Sequence, residues 1–375
     1  MSHETKIVRF AVINNNTPLR LRPSVSVVPT NDPLIWEFFH SNTRKIKHIK
    51  FADARLIDII SQLNNQSIIE VENNNIDLAK YIKPLFLTLV EWCVLEDAYC
   101  ASFIESSKRY RNLNFLADYI PSYELVEVFE NIENSTVIIV GAGGVGSWLA
   151  IELAQIGVKK IVLIDSDIVK EHNLNRGLFF FNDLGKLKTS VIKEKIESFD
   201  DSIAVIEVNE MIQSDLDFEI ILNDFDSISL VINAADYPSV DATSKWIFKP
   251  CMNKLIPHIV AGGYNLHLSL IGPTIIPNVS ACFECISIGL KEQQTEDFST
   301  MRKLHKANRN IGNISPLAGI SASFTVNEAV RVLCKTKRIS PVMLNKRGEF
   351  NFLTSQLHFS EYSRQKLCEW CNYVK

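Results

Sequence analysis

The chain has 375 residues, of which 46% are hydrophobic, and this length is sufficient for one large or two modest domains with a sizeable core. Its 39 basic and 43 acidic residues give a net charge of −4, so no basic field is present to hold nucleic acid non-specifically, and a peptide or small molecule is the expected partner. The sequence has no uninterrupted apolar run of about 18 residues and no basic-then-apolar leader, which predicts no membrane span, no signal peptide and a cytoplasmic protein.

The first part of the chain has no glycine before Gly141 and mixes short β-patterned runs with helical patterns. The β-patterned runs cover residues 6–13, 24–28 and 45–51, and the helical patterns cover residues 54–63 and 82–99. This order predicts a small α+β module, similar to a winged helix, at residues 1–105. A linker at residues 106–130 contains a helical stretch at 123–129, and a second domain occupies residues 131–375.

A glycine-rich turn, Gly141-Ala142-Gly143-Gly144-Val145-Gly146, separates an apolar run at residues 136–140 from a helical pattern. The glycines permit a tight turn that aims backbone N–H groups at a phosphate, and the start of the helix adds a positive dipole end. Asp165 ends the next apolar run, residues 160–164, where a carboxylate can grip a ribose hydroxyl. This βαβ unit predicts a nucleotide site, and it suits NAD, FAD and ATP equally.

Three charged residues downstream bear on which nucleotide is bound. Arg176 and Lys188 can supply the cations that a triphosphate needs, and Asp236, after the apolar strand at residues 230–233, can supply a carboxylate for magnesium. Ligands of open α/β sheets bind outside the carboxyl ends of the strands, so these residues are expected around one crevice. Two alternatives stay open: Arg176 and Lys188 are solvated charges, and Asp236 caps a helix that begins near Tyr237-Pro238. An NAD-dependent dehydrogenase is the main rival enzyme class.

Two C-x-x-C pairs, Cys282/Cys285 and Cys368/Cys371, each present two thiolates at the spacing that tetrahedral zinc requires. In a cytosolic chain they favour a closed, structural four-cysteine zinc site over disulfides. Cys93, Cys100 and Cys334 lie in apolar helical patterns and are expected in the core. Cys251 is not obviously inside an apolar face, but it has no activating neighbour, so thioester transfer is not expected.

Together these motifs resemble the superfamily that joins ThiF, MoeB and the ubiquitin-activating enzymes, over roughly residues 107–375. The resemblance rests on the glycine turn, Asp165-Ser166-Asp167, Asn173-Leu174-Asn175-Arg176, Gly185-Lys186-Leu187-Lys188 and Asn233-Ala234-Ala235-Asp236. It implies a Rossmann-like, doubly wound, mostly parallel sheet and a homodimer. The implied activity is adenylation of a carboxylate by ATP, with release of pyrophosphate.

The resemblance also implies roles for individual residues. Asp165 would hold the ribose, Arg176 and Lys188 the phosphates, and Asp236 the Mg²⁺. The rest of the implied ATP-binding set is Gly141, Gly143, Gly144, Gly146, Asp167 and Asn175. Arg109 or Arg111 resembles the arginine that these dimeric enzymes insert across the subunit interface, although Arg109-Tyr110-Arg111 is one position shorter than the usual Arg-Tyr-x-Arg.

Within the superfamily, residues 261–265, 272–273 and 282–285 look most similar to enzymes that modify ribosomally made peptide antibiotics, such as those of pantocin A and microcin C biosynthesis. This branch implies a precursor-peptide substrate, a leader held by the N-terminal module through β-augmentation, and intramolecular capture of the acyl-adenylate. Glutamate side-chain cyclisation, as in pantocin A, is favoured over C-terminal asparagine modification, as in microcin C. The alternative is a sulfur-carrier-protein adenylyltransferase of the ThiF/MoeB type. The polar crossover at residues 286–315 would receive the substrate, and its basic side chains are Lys303, His305, Lys306 and Arg309.

Overall fold

The computed structural model describes residues 13–261, 264–265, 268–298, 313–366 and 368–372. The chain divides into two compact units, one of residues 1–130 and 336–339 and the other of residues 131–335 and 340–375. We call these unit 1 and unit 2. The four basic residues of the crossover and residues 6–12 of the first expected strand lie outside the described residues.

Unit 1 contains two small antiparallel sheets, with strand orders β5-β1-β6 and β2-β3-β4. The strands are β1 (Pro18–Leu21), β2 (Val25–Pro29), β3 (Ile35–His40), β4 (Lys45–Lys50), β5 (Asn64–Ser67) and β6 (Leu95–Asp97). The helices are α1 (Arg55–Ser61), α2 (Ile68–Asn74), α3 (Ala79–Glu91), α4 (Ala98–Ser106), α5 (Tyr110–Ala117) and α6 (Ser122–Glu133). Apolar side chains of β1, β3, α1 and α3 meet in one core around Leu19, Phe38, Ile60, Ile82 and Phe86. The interpretation of residues 24–28, 45–51 and 54–63 is confirmed, whereas a single helix over 82–99 is wrong.

A short C-terminal segment, residues 336–339, completes unit 1. The guanidinium of Arg338 lies 2.8 Å from a carboxylate oxygen of Glu91 and 3.0 Å from one of Glu124. Nη2 of this guanidinium, which makes both contacts, also donates a hydrogen bond to the Tyr123 hydroxyl. One arginine therefore ties α3 and α6 together.

Unit 2 is built on a sheet with the order β14-β11-β10-β7-β8-β9. The strands are β7 (Thr136–Val140), β8 (Lys160–Ile164), β9 (Ala204–Val208), β10 (Leu230–Asn233), β11 (His258–Val260) and β14 (Thr274–Ile275). All neighbouring pairs are parallel except β11 with β14. β7 and β10 are buried along their whole length, as expected of parallel strands that are covered on both faces. The predicted Rossmann-like, mostly parallel sheet is confirmed.

The helices of unit 2 follow the strands as crossovers. They are α7 (Gly144–Ile156), α8 (Lys188–Phe199), α9 (Asp215–Asn223), α10 (Val240–Asn253), α11 (Phe283–Phe298), α12 (Ser315–Leu333) and α13 (Glu369–Asn372). A second, antiparallel sheet has the order β12-β13-β15-β16. Its strands are β12 (Tyr264–Asn265), β13 (Leu268–Ile271), β15 (Lys346–Asn351) and β16 (Gln356–Glu361). In the main sheet, β8 and β9 follow β7 on one side, and β10 then pairs with β7 on the other side. The topological switch point therefore lies between β7 and β10. Ligands of such sheets bind at this point.

Candidate functional site

A cleft of about 220 Å³ opens at the carboxyl ends of β7, β8 and β10, beside this switch point. Most of the predicted nucleotide-binding residues line it: Gly141, Gly143, Gly144, Asp165, Asp167, Arg176, Lys188 and Asp236. Residues that are more than 90 positions apart in the chain therefore meet around one crevice, as the sequence predicted.

The glycine turn is shaped by very close backbone packing. Gly141 has a φ of +90°, and a Cβ atom added to it would lie 2.7 Å from the Ala235 nitrogen. A Cβ on Gly146 would lie 1.9 Å from the Gly141 carbonyl oxygen. Gly146 does not line the cleft but allows α7 to approach the turn, and α7 begins at Gly144 with its free N–H groups at the cleft.

Asp165 is held in a fixed orientation at the end of β8. One carboxylate oxygen accepts a hydrogen bond from the Ala142 N–H at 2.7 Å, and the other accepts one from the Asp167 N–H at 2.8 Å. The carboxylate therefore bridges the glycine turn and the loop after β8. Such a fixed acceptor beside a phosphate-binding turn has the geometry needed to accept a ribose hydroxyl.

Lys188 and Arg176 bring two cations to the cleft. The buried ammonium of Lys188 lies 2.8 Å from Asp167 and 3.9 Å from Asp165, and its hydrogen bond holds the pKa of the Asp167 carboxyl below its ordinary value. The Arg176 side chain lies against Gly144 and donates from Nη1 to the His172 carbonyl at 2.9 Å. Its Nε is buried without a partner among the described residues. A buried donor is rarely left unsatisfied, so this nitrogen can donate a hydrogen bond to an anionic ligand in the cleft.

The loop that carries Asp236 is fixed by Asn233 at the end of β10. The Asn233 side chain donates to the Thr243 and Ser244 hydroxyls, at 3.0 and 2.9 Å, and accepts from the Ala235 N–H at 3.1 Å. Asp236 itself is exposed at the rim of the cleft. The alternative that Asp236 caps a helix is wrong, because α10 begins at Val240 with Ser239 as its cap.

Besides Gly146, three residues predicted for the nucleotide site do not line this cleft. Asn175 is exposed, and Asn173 of the same motif lines the cleft instead. Arg109 and Arg111 belong to unit 1, where Arg109 precedes α5 and Arg111 lies over the Tyr110 ring at 5.5 Å. Cleft residues that were not predicted include His172, Glu210, Met211 and Tyr237. His172 directly precedes the motif that begins at Asn173, and Tyr237 directly follows Asp236, whereas Glu210 and Met211 stand next to no predicted motif.

The four cysteines of the two C-x-x-C pairs come together at the start of α11 and at α13. Their sulfur atoms all lie within 4.8 Å of one another. Cys282 is 3.5 Å from Cys368, and Cys285 is 3.5 Å from Cys371. Tetrahedral zinc with bonds of about 2.3 Å separates its sulfurs by about 3.8 Å, so the cluster has the size of a zinc site. Backbone N–H groups of Cys282 and Gln365 donate to two of the sulfurs, as expected around thiolates.

The other four cysteines are buried thiols. Burial raises the pKa of Cys93 to about 11 and of Cys100 and Cys334 to about 12. Cys251, which the sequence left ambiguous, is fully buried in α10, and burial raises its thiol pKa further still. All eight cysteines lie in the described part of the chain, and outside the four-cysteine cluster none is exposed.

Comparisons with known proteins agree with this arrangement. The ThiF family model matches residues 120–370. Ubiquitin-like modifier-activating enzyme 5 of Dictyostelium discoideum is 27% identical over 231 residues, which cover 58% of this chain and 58% of that protein. The chain thus spans less than two thirds of that relative. These findings confirm the predicted superfamily.

Two solved structures resemble the chain over nearly its whole length. Escherichia coli MccB with AMPCPP and MccA has a TM-score of 0.72 and 21% identity, and it covers 94% of this chain and 99% of its own. PaaA has a TM-score of 0.66 and 18% identity, and it covers 91% of this chain and 100% of its own. The shared fold therefore includes residues on the N-terminal side of the family match. Among the described residues, every helix is too short or too polar to cross a bilayer.

Proposed function

Because this chain belongs to the ThiF family, we propose that it is an ATP-dependent adenylating enzyme and that its substrate is a carboxylate of a ribosomally made precursor peptide. The observation that carries the proposal is the convergence of Asp165, Arg176, Lys188 and Asp236 on one cleft beside the glycine turn. A dinucleotide needs little more than the turn and the helix end, whereas a triphosphate needs the additional cations and a carboxylate for its metal.

Each residue has a defined part in this reaction. Asp165 would accept the ribose hydroxyls, and the N-terminus of α7 would face the phosphates. A carboxylate oxygen of the peptide attacks the α-phosphorus, the bond from that phosphorus to the bridging oxygen breaks, and pyrophosphate leaves. Arg176 and Lys188 stabilise the charge that builds up on this leaving group. Asp236 would hold Mg²⁺, which neutralises phosphate charge when it is bound.

The cysteines support a mechanism without a thioester. A thiol that accepts an acyl group must be exposed and must ionise readily, yet the four cysteines outside the cluster are buried, and burial raises the pKa of each. We therefore propose that an atom of the peptide itself captures the acyl-adenylate, since a nearby nucleophile gains a large rate advantage from proximity.

The fold similarity supports a peptide as the substrate, because MccB was solved with MccA and with ATP in separate crystals. We propose that unit 1 holds the leader of the peptide through β-augmentation and that the enzyme acts as a homodimer in which Arg109 or Arg111 reaches a partner's nucleotide. Capture through a glutamate side chain releases AMP and a peptide that has lost one water, whereas a product that keeps the nucleotide is heavier than the peptide by the mass of the attached nucleotide. The product mass distinguishes the two.

The central test is Asp236→Ala, compared with Asp226→Ala as a matched exposed aspartate that does not line the cleft. We expect the wild type and Asp226→Ala to exchange pyrophosphate into ATP when precursor peptide and magnesium are present. We expect the exchange rate of Asp236→Ala to be at least about a hundredfold lower, because the carboxylate that holds the metal acts on the charge of the transition state. Exchange at the wild-type rate in Asp236→Ala would remove the assignment.

Two other outcomes would indicate a different function. Exchange that needs a sulfur-carrier protein instead of a peptide would indicate the ThiF/MoeB alternative, and reduction of NAD would indicate a dehydrogenase.

A further inference from the structure

Helix α7 is linked to the loop that carries Arg176 by two side chains that do not themselves line the cleft. The indole N–H of Trp148 donates to the Arg176 carbonyl at 3.3 Å. The Ser147 hydroxyl accepts from the Leu178 N–H at 3.1 Å and donates to the Gly144 carbonyl at 3.2 Å. Ser147 is fully buried. Two bonds from the first turns of α7 therefore hold the backbone on either side of the residue that follows Arg176.

This loop also packs closely on α7. The Gly177 N–H donates to the Asn173 carbonyl at 3.1 Å. A Cβ atom added to Gly177 would lie 2.7 Å from the ring of the buried Phe179 and 3.3 Å from the Ser147 hydroxyl oxygen. The backbone of the loop therefore has little space in which to shift along the helix.

The Arg176 side chain runs over the start of the same helix. A Cβ on Gly144, the first residue of α7, would lie 3.2 Å from the Arg176 Cγ and 3.4 Å from its Cδ. Nη1 donates to the His172 carbonyl at 2.9 Å, and Nε is buried without a partner among the described residues. The arginine is thus held at its backbone, along its aliphatic stem and at one edge of its guanidinium, with Nε left to donate to a ligand.

One helix therefore supports two groups that the proposed reaction uses together. The free N–H groups at the start of α7 face the phosphates, and Arg176 meets the charge that builds up on the leaving group. A donor that is already in place does not have to reorganise while this charge develops. A displacement of about 1 Å can cost on the order of a hundredfold in rate, so a fixed spacing between these donors bears directly on the reaction.

We infer that Ser147 and Trp148 are positioning residues that act through Arg176, by fixing its guanidinium beside the N-terminus of α7 for the leaving phosphates of ATP. This inference rests on the proposed function for the reaction that it serves. Residues that only stabilised α7 would affect the protein whether or not Arg176 is present. Positioning residues lose their effect on the reaction when the side chain that they position is removed.

The test is a double-mutant cycle on pyrophosphate exchange by the full-length protein. Trp148→Phe removes the indole N–H but keeps an aromatic ring. We expect it to lower kcat about tenfold on its own and less than about twofold when it is added to Arg176→Ala. Trp36→Phe, the control, removes an indole N–H that donates to the Pro33 carbonyl at 3.1 Å in unit 1 and should leave kcat unchanged. A tenfold fall in both backgrounds would overturn the inference.

Ser147→Ala tests the second bond and still gives an answer if Trp148→Phe does not fold, which thermal unfolding shows. It should lower kcat in the same direction, and Ser147→Ala combined with Trp148→Phe should be no slower than Arg176→Ala. The control is Ser269→Ala, at another fully buried serine, whose hydroxyl donates to the Leu317 carbonyl at 2.7 Å. An equal fall of kcat in this control would contradict the assignment.

Nucleotide titration gives a measurement that needs no peptide. Arg176→Ala should weaken binding of ATP about tenfold, because a hydrogen bond to a charged group is lost, and Trp148→Phe should weaken it in the same direction. Both should bind AMP, which lacks the leaving phosphates, within about twofold of the wild type. Equal weakening of ATP and AMP by Trp148→Phe would contradict the assignment. If no peptide supports exchange while the difference between ATP and AMP is found, the proposed function fails and the positioning of Arg176 stands.

Discussion

Gly146 has no space for a side chain, which explains why the last position of the turn is a glycine. An added Cβ would meet the Gly141 carbonyl oxygen at 1.9 Å, and Gly141 in turn packs on the backbone of Ala235. We expect Gly146→Ala to destabilise unit 2 by about 3 kcal/mol, since the clash is with backbone that cannot rotate away, and to abolish ATP binding. Gly319→Ala is the control, because a Cβ there meets nothing within 4 Å. Thermal unfolding and ATP titration measure both, and a Gly146→Ala protein that binds ATP normally would contradict this reading.

Single residues of the cleft were predictable where the chain leaves a strand. Asp165 and Asp236 follow apolar runs, and the parallel sheet brings such positions to one edge. Asn175 was not predictable in the same way. A tight helical turn at Glu171–Asn173 directs Asn173 inward, where its side chain accepts from the Lys170 N–H at 2.9 Å, and leaves Asn175 exposed. Which asparagine faces inward depends on a local turn that the motif does not encode.

Helix α3 shows why the element boundaries were harder to predict than the elements. Apolar residues continue past its end at Glu91, so the pattern favours one helix to residue 99. Cys93 instead takes a φ of +56°, and Leu95–Asp97 form β6, which pairs with β1 about 75 positions earlier. Long-range pairing of this kind leaves no local trace in the sequence, whereas the long buried strands of unit 2 do.

The four-cysteine cluster joins α11 to α13, and its metal should stabilise this part of unit 2. We expect one zinc per chain by elemental analysis and a lower unfolding temperature after chelation, because thiolate–metal binding contributes directly to folding. Cys368→Ser should lose the metal, whereas Cys251→Ala, at a fully buried cysteine outside the cluster, should keep it. A wild-type protein with well under one zinc per chain would contradict the assignment.

The stability of unit 2 should fall on acidification because of His258. This residue is fully buried, its Nδ1 lies 3.1 Å from the Ile256 carbonyl, and its Nε2 has no partner among the described residues. Burial lowers the pKa of His258 to about 4 from an ordinary 6.5. The unfolded chain therefore binds the proton more readily, so stability is full above pH 6.5 and is lost as the pH falls toward 4, by an amount on the order of 3 kcal/mol.

Chemical unfolding at a series of pH values tests this, with His258→Leu as the comparison. The leucine variant should lose less stability than the wild type between pH 6.5 and 4. Loss of zinc at low pH affects both proteins alike, so the difference between the two curves isolates the histidine. If the stability of the two proteins falls in parallel between pH 6.5 and 4, His258 does not cause the loss of stability on acidification.

Residues 336–339 belong to unit 1 although they come more than 200 positions after residue 130, and this limits where the gene can be divided. A fragment that stops at residue 130 would encode the first unit without Arg338, and Glu91, Glu124 and Tyr123 would lose the cation that neutralises and crosslinks them. Unit 1 is compact in space, but its residues come from two separate parts of the sequence. To isolate unit 1, one would have to graft the four-residue segment back onto it, and the same junction would be a poor place to exchange modules between related enzymes.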